Sequence, residues 1–456
     1  MKWHVIVAGI ALGVVYALSP LTIWFGILIV PVVYWAGRGL DAPSVDDRRW
    51  VTWLLIVAIA VRLLAVAVLF VLSKHSQVPF GTFFGDEEYF IKRSLWLRNL
   101  ALDIPLHGED LVAAFESYSA SSYLYLLALV QILVGPAPYG LHLLGILFYV
   151  VAAVLLYRLV HSTLGRMPAL LGLAVLLFLP SLFAWSVSAL KEPLFVLISA
   201  VNLLLAVKVA RGLSWWGRVL ALAVVVLLAA VLETMRQGGA ILSGLGVSIG
   251  LLIAFVAMRP RLVIAALVAV PILMGAALSR PSVQVKAYTA IQNAARQHWG
   301  HVATQGFVYP LLDQRFYDEK SEISDMRFGE TMRFLVRAGV GYLTVPLPWK
   351  VQSRAALAYL PEQVVWYTLV ALVPVGILFA FRRDVVVTGL LVGHAVVAAV
   401  TVALTSGNVG TLVRHRGLAL PYLVWLSAVG ACELATLVAS PGLHEQVVVT
   451  EPLASD

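Results

Sequence analysis

Phe83-Phe84-Gly85-Asp86-Glu87-Glu88-Tyr89-Phe90 places three adjacent carboxylates in a 456-residue chain that is 61% hydrophobic and only 12% charged. Carboxylates in such surroundings can take a proton as general base, ligate a cation or pair with a basic group. Between Lys74 and Ser117 the acids number seven against four bases, a balance that repels bare phosphate and favours a proton, a metal or a cationic partner. Glu88, Asp103, Glu109, Asp110 and Glu116 read as solvated loop or helix-start acids. Asp86 and Glu87 differ, because they open a predicted helix over 89–100 and are held close to apolar surface.

A second constellation lies near the other end, in Thr405-Ser406-Gly407-Asn408-Val409-Gly410-Thr411-Leu412-Val413-Arg414-His415-Arg416. Glycines that admit backbone N–H groups, hydroxyl and Asn408 amide donors, and the forked guanidinium groups of Arg414 and Arg416 together suit a phosphate. Arginines that touch lipid headgroups without specificity would look the same in sequence. His415, between two arginines, reads as a neutral hydrogen-bonding group. A third carboxylate, Glu192, follows Lys191 and precedes Pro193 at a helix start, where the helix dipole alone would favour it. Arg236 sits three residues after Glu233, a spacing for mutual pairing, and is also a second phosphate candidate. His298 and His301, three apart on a predicted helix, have a weak metal spacing without a matched carboxylate.

The elements that position these groups are membrane spans. Mean hydropathy is +0.92 and apolar runs recur almost to residue 437, which excludes an ordinary soluble domain. The expected fold is all-α, an integral membrane protein of about twelve transmembrane helices. The spans are predicted near 5–18, 20–36, 51–73, 140–157, 168–183, 192–208, 217–232, 238–258, 261–278, 361–381, 385–405 and 417–437. The five short loops carrying Arg38, Arg48 and Arg49, then Arg158 and Arg166, Lys208, Arg211 and Arg218, Arg259 and Arg261, and Arg382 and Arg383 address one end to the cytoplasm. Successive basic loops must then be separated by an even number of crossings. The twelve-residue apolar run 123–134 breaks that parity if it spans, so it is predicted to be a juxtamembrane or re-entrant helix. One domain is expected over 1–456, with two large external segments at 74–139 and 279–360. Parity puts Arg414 and Arg416 outside, against the usual bias for basic residues. Met1-Lys2 leads into an apolar run without a cleavage site, so the first helix is expected to remain. Lone Cys432 rules out a disulfide within the chain. Arg62, inside VAIAVRLLAVAV, should face the bundle interior. Val345-Pro346-Leu347-Pro348-Trp349-Lys350 cannot form a regular helix and suits an interfacial anchor or cavity wall.

An external Asp-Glu pair with a following Tyr89, then the tyrosine-rich run Ser121-Ser122-Tyr123-Leu124-Tyr125-Leu126-Leu127-Ala128-Leu129, then an apolar hairpin turned by Arg158 to Arg166, resembles the GT-C membrane glycosyltransferases over roughly the first 210 residues. The resemblance implies a polyprenyl-phosphate-linked sugar donor, a glycan, lipid or protein acceptor, and a bacterial inner-membrane location with the site facing the periplasm. It implies a catalytic base at Asp86, or at Glu87, because the spacing here is Asp-Glu-x-Tyr where many relatives have Asp-Glu-x-x-Tyr. Glu192 matches the family's second carboxylate, while Tyr89, Lys191 and Asn408 would line the substrate cavity. No cofactor is required, though paired carboxylates leave room for a divalent metal, and no nucleic-acid partner is expected. A polymerase or ligase using polyprenyl-diphosphate-linked glycan, or a flippase for the lipid-linked sugar, would share much of this pattern. No internal repeat of the kind common in transporters is evident.

Overall fold

The computed structural model describes residues 21–38, 45–72, 85–116, 121–136, 140–304, 307–350 and 359–439, together with Trp3 and Leu357. Long apolar stretches form helices here because a helix satisfies its own backbone where no water can. In chain order these are α1 (Leu21–Ala36), α2 (Val45–Leu72), α3 (Gly85–Ala101), α4 (Gly108–Ala114), α5 (Ser122–Val134), α6 (Leu141–Thr163), α7 (Arg166–Phe178), α8 (Pro180–Ser186), α9 (Glu192–Arg211) and α10 (Trp215–Met235). They continue with α11 (Gly239–Ala257), α12 (Pro260–Leu278), α13 (Pro281–Val302), α14 (Arg315–Asp318), α15 (Phe328–Thr344), α16 (Leu360–Arg383), α17 (Val385–Thr405), α18 (Val409–Arg416) and α19 (Leu420–Ala439).

Among the described residues, nine helices are long and apolar enough to cross a membrane, and the count is ten if the bent pair α7–α8 is taken as one span. The protein is therefore an all-α, multi-pass membrane protein. Nine of the twelve expected spans coincide with these helices, and the expected span 168–183 coincides with the bent pair. The expected span 5–18 lies outside the described residues, and α1, with sixteen residues, extends only about 24 Å, short of a hydrocarbon core of about 30 Å. The run 123–134 forms the thirteen-residue α5, too short to cross. Its Ser121 hydroxyl caps the helix and donates to Met235 O at 2.9 Å.

The basic loops gather at one end of the bundle. Arg158 donates to Trp35 O and Arg38 O, Arg383 to Leu164 O and to Glu433, and Arg211 pairs with Asp384. Glu433, near the inner end of α19, is thus held by Arg383 of α16. The second end carries α3–α5, α13–α15 and α18.

Helices cross closely where glycine removes the side chain. A Cβ on Gly376 of α16 would lie 1.8 Å from Leu426 O of α19, and one on Gly393 of α17 would lie 2.5 Å from Gly250 N of α11. Such contacts let backbones approach as small-residue membrane interfaces do.

The crossing made by α7 and α8 bends by 66°. Pro180 has no N–H, so Leu176 O loses its helical donor, and the Tyr149 hydroxyl donates to it at 2.6 Å. Arg62, fully buried in α2, answers the next carbonyl. Its Nη2 donates to Leu177 O at 2.7 Å, its Nε to Ser186 Oγ at 2.7 Å and its Nη1 to Ala58 O at 3.0 Å. Arg62 faces the bundle interior and completes the break. The freed Ser181 N–H donates to Glu362 Oε2 at 3.0 Å. This break turns α8 into the wall of a cavity at the second end of the bundle.

Candidate functional site

That cavity has a volume of about 570 Å³, within the usual range for small-molecule sites. Its wall includes Asp86 from α3, Ser181 and Trp185 from α8, His301 near the end of α13 and Thr304 just after it, Tyr359 and Glu362, and Asn408, Gly410, Thr411, Arg414 and His415 around α18. The opening carboxylate motif and the arginine stretch, 328 residues apart, meet here.

Arg414 joins them. Its Nη1 lies 2.8 Å from Asp86 Oδ2 and its Nη2 3.5 Å from Glu192 Oε1. The two carboxylates are unlike: the Asp86 side chain is 59% exposed, while that of Glu192 is 3% exposed. Glu192 begins α9, as its Glu-Pro sequence predicts, and is buried at the helix's positive end. Glu192 Oε2 accepts no hydrogen bond among the described residues. Burial lowers the Arg414 pKa, but the Glu192 and Asp86 carboxylates outweigh burial and hold it above its ordinary value. Arg414 is therefore a fixed cation between a buried anion and an exchangeable, solvated one.

Behind it stand further cations. Arg236 lies 3.3 Å from His415 Nε2; because guanidinium only donates, His415 carries its proton on Nδ1. Burial, then Arg236, Arg414, His301 and Lys191, hold the His415 pKa well below its usual value. It is neutral near pH 7, as the sequence implies. Glu233 does not pair with Arg236. It accepts from Gly238 N at 3.1 Å and Ala240 N at 3.0 Å, bridging α10 to α11. Lys191 donates to Met235 O at 2.9 Å, and burial lowers its pKa.

The structure separates residues that the sequence groups together. Arg416 does not reach the cavity. It is buried, donating to Gln363 Oε1 at 2.8 Å and to Tyr342 O and Val345 O, with its guanidinium 4.4 Å from the Trp366 ring. Two positions along a helix rotate a side chain by about 200°, so Arg414 and Arg416 face opposite sides of α18. Glu87 is likewise withdrawn from the cavity: fully buried, it accepts from Ala189 N at 3.1 Å and lies 3.2 Å from His142 Nε2. Of the two adjacent acids, Asp86 is the one that lines the space. Tyr89 lies against Phe90 and beneath Arg93, outside the cavity wall. Asn408 lines the cavity and accepts from Gly410 N at 2.8 Å, which occupies one of the amides expected to meet an anion.

Sequence reasoning missed Glu362, Tyr359, Ser181 and Trp185 as wall residues and His142 as the partner of Glu87. Pro361-Glu362 opens a span much as Glu192-Pro193 does, and that repeated signal was available. Among the described residues, no group of three or more His, Cys, Asp or Glu side chains is placed to hold a metal ion. Asp86 and Glu192 instead converge on Arg414. No family model, curated protein or solved structure matches the chain.

Proposed function

We propose that this protein is a membrane glycosyltransferase that moves a sugar from a polyprenyl-phosphate-linked donor to an acceptor hydroxyl within the cavity, on the outer face of a bacterial plasma membrane. The observation that carries the reading is the single guanidinium of Arg414 shared by an exposed and a buried carboxylate on the wall of a 570 Å³ space. A donor phosphate entering that space takes Arg414 from Asp86, while buried Glu192 keeps the guanidinium in place. Asp86, so released, accepts the proton of the acceptor hydroxyl. The hydroxyl oxygen bonds to the anomeric carbon as the bond from that carbon to the phosphate oxygen breaks. The electron pair leaves with the lipid phosphate, whose added charge Arg414 neutralises, and the anomeric centre inverts. Arg236 and Lys191 supply further positive field, and neutral His415 separates Arg236 from Arg414. The basic loops at the opposite end agree with an outward-facing cavity under the positive-inside rule.

Purified protein in lipid nanodiscs, given radiolabelled polyprenyl-phosphate sugars and candidate acceptors, is expected to release free lipid phosphate with transfer of label. In sealed proteoliposomes a carrier would move label across the bilayer without that release, and this outcome would overturn the proposal.

A further inference from the structure

His298 and His301 stand on one face of α13, and both turn a ring nitrogen to the end of α17. His298 Nδ1 lies 2.7 Å from Ser406 O, and His301 Nδ1 lies 2.7 Å from Thr405 O. The last carbonyls of a helix have no donor within it, so the pair caps that end. A carbonyl only accepts. Both rings therefore carry their proton on Nδ1, which leaves Nε2 of the neutral ring as an acceptor.

The two histidines part company at that second nitrogen. His298 is buried, and its Nε2 meets the Tyr317 hydroxyl at 2.9 Å. That hydroxyl also receives Leu311 N at 2.9 Å and Leu312 N at 3.1 Å, so its own proton goes to His298. Burial brings the His298 pKa down to about 4, and the ring is a neutral structural brace. His301 is only half-buried and forms part of the cavity wall, and its Nε2 has no hydrogen-bond partner among the described residues. Capping α17 needs one nitrogen of His301; the other is an oriented acceptor beside the space assigned to substrate.

We infer that His301 Nε2 accepts a hydrogen bond from a carbohydrate hydroxyl in this cavity and selects sugars that carry that hydroxyl. The identity of the ligand rests on the transfer reading above; the tautomer and the placement do not. The hydroxyl belongs either to the donor sugar or to a saccharide acceptor, and the chemistry of recognition is the same. A sugar lacking it leaves a partly buried acceptor unpaired, which discriminates more strongly than a lost apolar contact does.

The test uses full-length protein in nanodiscs without acceptor and compares equilibrium retention of labelled polyprenyl-phosphate hexoses with that of their monodeoxy analogues. A second arm measures competition by methyl glycosides and their deoxy forms. Wild type is expected to prefer the parent over one deoxy analogue by about tenfold in one of the two arms. His301→Asn keeps an amide donor near the Nδ1 position for Thr405 O but has no group at Nε2, and should reduce that preference to within about twofold. His301→Gln, whose amide oxygen reaches the Nε2 position, should recover part of it. A structural role alone predicts equal losses for parent and deoxy ligands. Retention of the full preference by His301→Asn, an equal loss for both ligands, or the absence of any sugar retention by wild type overturns the inference. Retention with the expected preference but without transfer would overturn the transfer reading and leave this one standing.

Discussion

Arg414 and Arg416 are two residues apart and alike in type, yet conversion of each to lysine should produce opposite phenotypes. Arg416 serves three acceptors, Gln363 Oε1, Tyr342 O and Val345 O, and stacks on Trp366. A lysine ammonium at that depth reaches one or two of the acceptors and lacks the planar face. At least one buried oxygen loses its donor, at about 1–3 kcal/mol, and the lost stacking adds about 0.5–1 kcal/mol. Arg416→Lys should therefore destabilise the fold by about 1.5–4 kcal/mol, while folded protein keeps its turnover per molecule. Arg414→Lys preserves a cation beside buried Glu192 and loses a bond to a mostly exposed aspartate, so its stability should change by about 1 kcal/mol or less. Its turnover should fall by about tenfold or more, because one ammonium cannot hold Glu192 and a phosphate in the geometry of a fork. Unfolding in nanodiscs followed by tryptophan fluorescence, with lipid-phosphate release normalised to folded protein, reads both quantities. A wild-type unfolding midpoint for Arg416→Lys, or the larger destabilisation in Arg414→Lys, would refute the division of labour between the two faces of α18.

Asp86→Asn should fold normally and lose about 100-fold or more in turnover through deletion of the base, whereas Glu87→Gln should chiefly weaken the fold, by about 1–3 kcal/mol, by disturbing a buried acceptor; kinetics and unfolding on the two proteins give the comparison. In a Cys432→Ala background, Ser214→Cys should label with an impermeant maleimide only from the cytoplasmic side and Ser321→Cys only from outside; exchanged labelling would reverse the orientation. His298 binds its proton at about pH 4 when folded against about 6.5 when unfolded, so its contribution to stability is complete above pH 6.5. It is lost as pH falls toward 4, about 1.4 kcal/mol per unit and about 3 kcal/mol in all. His298→Gln should flatten that part of the acid-unfolding profile, and an unchanged profile would assign the slope to other groups.

The spans were legible because apolar length and the period of basic loops are properties of the chain itself. Nine long helices and the bent pair α7–α8 fall where hydropathy placed spans, and α5 is short because its apolar run is short. Glu192 was legible for a similar reason, since Glu-Pro marks a helix start wherever it occurs. The direction of a side chain on a brief helix was not. Residues 409–416 read as an anion-binding loop, and in a loop Arg414 and Arg416 can converge; as a helix they cannot. The choice between Asp86 and Glu87 depended on which of them met Ala189, 102 positions from Glu87, and His142, residues whose distance in space no local pattern encodes. Arg62 shows the converse. Its cost in an apolar span demanded an interior partner, although the identity of that partner, the Leu177 carbonyl beside the break at Pro180, required the bend to be seen.

The walls of the cavity are contributed by stretches near residues 86, 181, 301, 362 and 408–415, which leave the ribosome in that order. Glu192 enters its buried position beside a guanidinium that is made more than 200 residues after it. A nascent chain that has produced only the first eleven helices thus holds Asp86 and Glu192 without the cation that later lies between them, and a solvated Glu192 resists the packing of α9 against its neighbours. Insertion of the α17–α19 hairpin is then the step that gives that acid its ion-pair partner. Assembly of the site and completion of the bundle become one event, because a chain arrested before α18 has only Lys191 and Arg236 near Glu192 and lacks the guanidinium that ties it to Asp86.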